Sequence, residues 1–256
     1  MSDSALSPSV EPMAVFAHRG NRIAAPENTL AAFRAVAATG ADGVEFDVQL
    51  SADGEPVVIH DETLARTTDG TGAVGEHSLA ALRALDAGRW FGEAFAGERL
   101  PTLAEVLDVF RRDALILNVE LKTSIVPYPG LVPAVLAALR NAGMEARAVL
   151  SSFNHYTLLE AARLAPEIPR AALFSDVTIA PWDYARQHGF GAVHPERHGC
   201  DAALIRGCHA AGLAVRTYTV NDTAEAQRLM ALGVDGIFTD DPAALVPLVR
   251  QQRARA

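Results

Sequence analysis

Short runs of Val, Ile, Leu and Phe alternate along the chain with longer Ala- and Leu-rich segments whose apolar residues recur at helical spacing. The short runs predict strands at 13–18, 43–50, 115–121, 147–151, 171–174, 191–194, 213–219 and 235–238. The longer segments predict helices near 28–39, 101–112, 130–142, 154–165, 180–188, 201–211, 223–232 and 242–250. Strand and helix therefore alternate throughout the chain.

This alternation predicts an α/β fold. Eight strand–helix units over about 250 residues match the size of a (β/α)8 TIM barrel. A doubly wound open sheet is the competing fold, but neither type of glycine-rich phosphate loop follows the first strand. We therefore predict one barrel domain over residues 13–250, with its site at the carboxyl ends of the strands.

One further apolar run, residues 56–60, has no helix before it. It follows Asp53-Gly54, a strong signal for a two-residue hairpin turn, so it is predicted to fold back on the second strand. With those two residues at the centre of the turn, Asp47 would lie opposite His60. The segment that follows, about 61–100, is rich in Gly, Thr and Asp, and we predict that it forms a cap over one barrel mouth.

Composition narrows the possible partners. The formal net charge of −9 argues against a nucleic-acid or anionic-membrane surface, although a local basic pocket can still bind a small anion. Residues 1–12 lack the basic and apolar regions of a signal peptide and are predicted to be a disordered leader. No stretch suits a membrane span, so we expect a cytoplasmic protein without stable membrane insertion. The sequence leaves its oligomeric state open.

The second predicted strand, GVEFDVQL, and its neighbour, LILNVELK, carry acidic residues at alternate positions. Alternation places Glu45 and Asp47 on the lumen face, and Glu120 of the next strand should stand beside them. Buried carboxylates repel one another unless a cation lies between them, and oxygen ligands suit Mg²⁺ or Ca²⁺. The alternative is that Arg or Lys neutralises them. Lys122 could hold an anion beside the metal or pair only with Glu120.

Two histidines follow apolar runs, His18 after the first strand and His60 after the hairpin. A lone buried histidine is most often a core residue, but two that converge on carboxylates can exchange protons near neutral pH. Arg19 offers the planar fork that matches phosphate. Tyr218, on a late strand, could line the same pocket, although periodicity alone favours a core position for it.

Several segments together carry a family pattern: HRG (18–20), PENT (26–29), EFDVQLSADGEPVVIHDETLARTTDGTG (45–72), DAGRWF (86–91), LPTLAEVL (100–107), VELK (119–122), LSSFN (150–154), YTVN (218–221) and DGIFTDDP (235–242). They resemble the glycerophosphodiester phosphodiesterases, most closely the short cytoplasmic bacterial enzymes, over about residues 13–248. The combination of HRG, PENT, E-x-D and HD is highly specific. Tyr218 stands where the family often has Trp, and the stretch 193–200 has no counterpart in the pattern.

The resemblance implies a (β/α)8 barrel that uses one divalent cation, Mg²⁺ or Ca²⁺, to hydrolyse glycerophosphodiesters to glycerol 3-phosphate and an alcohol. Carried over by position, it implies Glu45, Asp47 and Glu120 as metal ligands, His18 and His60 as the acid/base pair, Arg19 and Lys122 as phosphate ligands and Tyr218 as a further substrate contact. Glu27 belongs to the signature, with no role assigned to it.

Two other functions suit the same barrel. A lysophospholipase D-type phosphodiesterase would need an apolar entrance for an acyl chain, and Trp90, Phe91 and Phe95 in the insertion leave that possibility open. A non-enzymatic protein that binds phosphate ligands would predict broken acid/base or metal positions, yet all five are present.

Overall fold

The computed structural model describes residues 13–253, so the leader predicted over residues 1–12 lies outside the described residues. The strands are β1 (Ala14–His18), β2 (Gly43–Leu50), β3 (Pro56–Val58), β4 (Ile116–Leu121), β5 (Ala148–Ser152), β6 (Arg170–Phe174), β7 (Ala192–Pro195), β8 (Ala214–Thr217) and β9 (Gly236–Thr239). The α-helices are α1 (Leu30–Val36), α2 (Leu79–Leu82), α3 (Leu103–Val109), α4 (Leu131–Ala142), α5 (His155–Leu164), α6 (Pro181–Gln187), α7 (Ala202–Ala210), α8 (Thr223–Leu232) and α9 (Pro242–Arg253).

All of these strands except β3 are parallel and form a closed barrel, which confirms the predicted (β/α)8 fold. Neighbours follow the order β1-β9-β8-β7-β6-β5-β4-β2, and pairing of β1 with β2 closes the ring. Each predicted barrel strand overlaps an observed one. Within residues 13–253 no helix has the length and apolar character that crossing a membrane requires.

The alternation along β2 sorts its side chains between two environments. Phe46 points outward and packs edge-on against Phe33 of α1 at 5.8 Å between ring centroids, and Phe33 packs in the same way on Phe110 at 5.8 Å. Glu45 and Asp47 point into the lumen and are almost fully buried. The outer layer of helices thus takes the apolar residues, and the polar residues of the strand remain inside the barrel.

The hairpin of β2 and β3 forms where Asp53-Gly54 predicted it, but its register differs by one residue. Val48 pairs with Val58, so Asp47 lies opposite Ile59 rather than His60. The reason is a loop of three residues: the Ser51 amide donates to the Glu55 carbonyl at 3.0 Å, and Gly54 takes the left-handed φ of +84° that ends such a loop.

The segment 61–100 contains α2 and has an apolar cluster of its own with β3. Leu64, Val74 and Leu82 are fully buried in this cluster against Val57 and Ile59. Its polypeptide continues directly from His60 at the barrel mouth, so the segment folds beside the carboxyl ends of the strands. That it caps the mouth remains a prediction.

Candidate active site

A cavity of about 220 Å³ opens among the carboxyl ends of the barrel strands. Six of the residues predicted from sequence line it: His18, Arg19, Glu45, His60, Glu120 and Tyr218. The other two, Asp47 and Lys122, lie directly against these residues. The fold therefore brings all eight predicted side chains into one place.

The three predicted metal ligands form one cluster. Register places Asp47 beside Glu120 and Glu45 beside His18, and one oxygen from each of Glu45, Asp47 and Glu120 lies within 4.8 Å of the others. Glu45 Oε1 is buried and has no hydrogen-bond partner among the described residues. A buried carboxylate oxygen without a donor is costly, and an all-oxygen donor set of this kind fits a hard divalent cation.

The electrostatics of this cluster favour the same conclusion. Burial, together with repulsion from Asp47 and Glu120, raises the pKa of Glu45 well above its ordinary value. Burial and Asp47 raise the pKa of Glu120 to about 7. Asp47 behaves oppositely: although burial raises its pKa, Arg19, His60 and Lys122 outweigh that effect and lower it. In the protein alone, two of the three carboxyls therefore tend to take up protons.

Arg19 and Lys122 are the cations nearest the cluster. The Arg19 amide donates to Glu45 Oε2 at 3.0 Å, which its left-handed φ of +56° makes possible, and its Nε lies 3.4 Å from Asp47 Oδ2. Lys122 Nζ lies 3.2 Å from Glu120 Oε1 and 3.9 Å from Asp47 Oδ1. The ion pair of Lys122 with Glu120 is thus present, and a phosphate contact remains a prediction.

His18 is held from behind by Asp240, which directly follows the last barrel strand. Its Nδ1 donates to Asp240 Oδ1 at 2.7 Å, and Asn221 donates to Asp240 Oδ2 at 2.7 Å. This fixes the tautomer and directs Nε2 toward Glu45, which lies 4.0 Å away. Burial lowers the pKa of His18 despite the hydrogen bond to Asp240, so the imidazole is neutral at pH 7 and can accept a proton.

His60 is held in the same way by its neighbour in sequence. Its Nδ1 donates to Asp61 Oδ1 at 2.6 Å. The fully buried Gln49 amide donates to the carbonyls of Ile59, His60 and Asp61 at 3.1, 3.0 and 2.8 Å, and so anchors the chain as it leaves β3. The His60 side chain is 31% exposed against 12% for His18, so it faces the more open side of the cavity.

Glu27, the signature residue without an assigned role, lies behind the cavity and not in its lining. It accepts from Arg19 at 2.8 Å, from Arg66 at 2.7 and 3.0 Å, and pairs with Arg22 at 2.9 Å. Burial alone would raise its pKa, but Arg66, Arg19 and Arg22 lower it to about 2. Glu27 therefore braces three arginines around the site from outside the cavity lining.

These groups form one continuous ion-pair network. Arg22 lies 3.4 Å from Asp240, and Arg66 lies 2.6 Å from Asp61, so Glu27 connects the supports of the two histidines. The network has six carboxylates: Glu27, Glu45, Asp47, Asp61, Glu120 and Asp240. Its full cations are Arg19, Arg22, Arg66 and Lys122. The carboxyl groups of this network thus outnumber its arginines and lysine by six to four.

Sequence reasoning missed several residues of the site. Four of them lie within the family motifs: Glu27, Asp61, Arg66 and Asp240. No periodic pattern in the sequence indicated that their side chains form ion pairs around the histidines. A useful signal for Asp240 was available, since it follows a barrel strand directly at its carboxyl end. His194 also lines the cavity; it is fully buried, and burial lowers its pKa well below the ordinary value.

Tyr218 has a defined place in the cavity wall. Its hydroxyl donates to the Phe174 carbonyl at 2.9 Å, and its ring stands edge-on to Phe153 at 5.9 Å. Tyr218 therefore lines the cavity, whereas periodicity alone favoured an ordinary core position for it. Phe153 and Tyr218 thus give the cavity an aromatic wall.

Comparisons with known proteins agree with this geometry. The glycerophosphoryl diester phosphodiesterase family matches residues 18–244. A glycerophosphodiester phosphodiesterase of Caldanaerobacter subterraneus is 42% identical over 93% of this chain and 98% of its own. An Oleispira antarctica phosphodiesterase, solved in complex with the product sn-glycerol-3-phosphate, is 35% identical, with a TM-score of 0.88 over 93% of this chain and 97% of its own. The glycerophosphodiester phosphodiesterase of Agrobacterium tumefaciens is 33% identical, with a TM-score of 0.79 over 90% and 97% of the two chains.

The Glu27 brace generates a prediction about stability and pH. Because the pKa of Glu27 is lowered from 4.5 to about 2, its stabilising effect is present above pH 4.5 and is lost as the pH falls toward 2. Glu27→Gln should therefore lower the free energy of unfolding by up to about 3 kcal/mol at pH 7. The deficit should shrink progressively below pH 5, as measured by urea unfolding at several pH values.

Glu93→Gln is the matched control, since Glu93 is 79% exposed and pairs only with the exposed Arg89. It should change stability little at any pH. A deficit of Glu27→Gln that stayed constant across the pH range would show that its carboxylate charge contributes nothing.

Proposed function

The chain belongs to the glycerophosphoryl diester phosphodiesterase family and acts as a glycerophosphodiester phosphodiesterase, and we propose that it uses a divalent cation and releases glycerol 3-phosphate and an alcohol. The observation that carries the proposal is a single cavity in which two aspartate-backed histidines flank three clustered carboxylates. A phosphodiester needs a base, an acid and positive charge on its nonbridging oxygens, and this cavity has groups suited to each.

Glu45, Asp47 and Glu120 would hold the cation. When bound, Mg²⁺ or Ca²⁺ would supply positive charge to the phosphoryl oxygens and cancel the repulsion among these carboxylates. Arg19 lines the cavity and would add a guanidinium contact to the same oxygens. Lys122, held by Glu120 and Asp47, would contribute a second positive charge nearby.

The two histidines would divide the proton transfers. His18, neutral because it is buried, takes the proton of the attacking hydroxyl as a new P–O bond forms. His60 gives a proton from Nε2 to the alcohol oxygen as the bond between that oxygen and phosphorus breaks. This step leaves His18 with an added proton and His60 one proton short, so His18 must release a proton to solvent and His60 must take one up before the next turnover. Asp240 and Asp61 orient the rings throughout.

The glycerol phosphate and the leaving alcohol would occupy different sides of the cavity. His18 and the carboxylates belong to the rigid barrel strands, whereas His60 is more exposed and adjoins the insertion. We propose that the barrel side binds the constant glycerol phosphate and that the open side accepts various alcohols. A cytoplasmic location stays a prediction from the sequence.

Removal of divalent metal should abolish hydrolysis of glycerophosphocholine, and added Mg²⁺ or Ca²⁺ should restore it, because the three carboxylates lose their counter-charge. The metal should also raise the melting temperature of the metal-stripped protein and leave that of Glu120→Gln almost unchanged. Differential scanning fluorimetry measures both melting temperatures. Glu167→Gln is the control, since Glu167 is exposed and pairs with Arg140, and this variant should keep the full rise in melting temperature on metal addition. Full activity after extended dialysis against chelator would exclude the metal.

His18→Ala and His60→Ala should each lower kcat by roughly 10²-fold or more, since each removes one proton transfer. Circular dichroism and the melting temperature should stay close to those of the parent. His209→Ala, a histidine on α7 that pairs with Asp235 at 2.9 Å, is the control and should keep its activity. Near-parent kcat in either site variant would make that histidine structural.

Glycerophosphocholine should yield glycerol 3-phosphate and choline, since His60 on the open side protonates the departing head-group alcohol. A coupled assay with glycerol 3-phosphate dehydrogenase measures the first product, and a parallel assay with choline oxidase measures the second. The two should form in equal amounts. Phosphocholine as the main product would contradict the proposal.

The same assays with lysophosphatidylcholine test the lysophospholipase D alternative. That alternative requires an apolar entrance, and Trp90 and Phe91 of the insertion are 42% and 36% exposed. We expect glycerophosphocholine to have the higher kcat/KM, and the reverse order would favour the alternative.

A further inference from the structure

Arg66 lies behind the second histidine and contacts both oxygens of its aspartate. Arg66 Nε donates to Asp61 Oδ2 at 2.6 Å, and its NH2 group donates to Asp61 Oδ1 at 2.9 Å. Asp61 in turn accepts from His60 Nδ1 at 2.6 Å. A planar fork that binds a carboxylate through two nitrogens fixes both its position and its rotation, which a lysine ammonium does not do.

The other edge of the same guanidinium binds Glu27. NH1 donates to Glu27 Oε2 at 3.0 Å and NH2 donates to Glu27 Oε1 at 2.7 Å. Glu27 is 2% exposed and belongs to the loop between β1 and α1, so it is a rigid anchor in the barrel. Arg66 therefore binds Asp61 within the insertion and joins the insertion to the barrel through its bidentate ion pair with Glu27.

The two histidines differ in how much else holds them. His18 is buried, and its partner Asp240 is fixed by Asn221 and Arg22 as well. His60 is 31% exposed, and Asp61 is 26% exposed, so Asp61 has room to turn toward solvent. Of the cations in the described residues, Arg66 is the one that binds Asp61 directly. Loss of Arg66 should thus release His60 and leave His18 in place.

We infer that Arg66 is a positioning residue for proton donation by His60 and that it acts through Asp61 with Glu27 as its anchor. Arg66 does not line the cavity and touches no reacting atom. Its role rests on the proposed function, in which His60 protonates the leaving alcohol. The inference makes the insertion a working part of the active site, because it carries the group that aligns the acid.

The test compares two substrates whose leaving groups differ in their need for an acid. Choline leaves glycerophosphocholine poorly unless its oxygen is protonated, whereas 4-nitrophenolate leaves glycerol 3-phosphate 4-nitrophenyl ester without a proton. The measured quantity is the ratio of kcat for the two substrates. Because the ratio does not depend on the folded fraction of a preparation, it stays informative if a variant folds less well.

Arg66→Ala should lower kcat for glycerophosphocholine by roughly 10-fold or more and lower kcat for the nitrophenyl ester much less. Arg66→Lys keeps the charge but not the fork and should show most of the same selective loss. Asp61→Asn should behave likewise, because its amide would point a donor at Arg66. Equal losses on both substrates, or no loss, in the Arg66 variants would overturn the inference.

His60→Ala and Arg99→Ala complete the design. His60→Ala should lose activity selectively on glycerophosphocholine; equal loss on both substrates would show that His60 is not the acid, and the proposed function would fail at that step. If His60→Ala is selective and Arg66→Ala is not, the positioning role alone is wrong. Arg99 binds the carbonyls of Ala84 and Leu85 within the same insertion, so Arg99→Ala should keep the parent ratio.

Discussion

Negative charge held away from water at the carboxyl ends of β1, β2 and β4 is the constraint on which the site depends. Three carboxylate oxygens within 4.8 Å of one another repel strongly in a low dielectric. Arg19 and Lys122 relieve part of that repulsion, and the raised pKa values of Glu45 and Glu120 show that they do not relieve all of it. What is left must be met by protons or by a divalent cation, and this is the physical basis on which we propose a metal at this site.

The same constraint explains why the supporting residues alternate in sign outward from the cluster. Arg19 faces the carboxylates on one side and needs Glu27 on the other, and Glu27 in turn needs Arg22 and Arg66. Arg22 then pairs with Asp240 and Arg66 pairs with Asp61. Asp240 binds His18, and Asp61 binds His60. With the exception of Glu45, each charge in this network therefore has an opposite neighbour, as buried ions require. Through these ion pairs, the supports of both histidines connect to one glutamate, Glu27, which lies outside the cavity lining.

Much of this arrangement could be predicted from sequence, because it follows from local periodicity. Strict alternation along GVEFDVQL and LILNVELK was enough to place Glu45, Asp47 and Glu120 in the lumen, and register in a parallel barrel makes them neighbours. The hairpin register was wrong by one residue because a three-residue loop and a two-residue turn share the same Asp-Gly signal. The support of His18 was missed because Asp240 meets it across 222 residues only when β9 closes on β1, although the place of Asp240 at the carboxyl end of a strand marked it as a candidate.

Closure of the barrel also divides the side chains of the site into those fixed by the sheet and those held only by side-chain contacts. His18, Glu45, Asp47 and Glu120 stand on or directly beside strands whose backbones hydrogen-bond on both sides, so their geometry is set by the sheet. His60 stands beyond a short hairpin strand, and Gln49, Asp61 and Arg66 hold it by side-chain contacts. Side-chain contacts can be altered one at a time, whereas a barrel register cannot. On the proposed function, we therefore expect substitutions on the His60 side of the cavity to change the accepted alcohol while the binding of glycerol phosphate is kept.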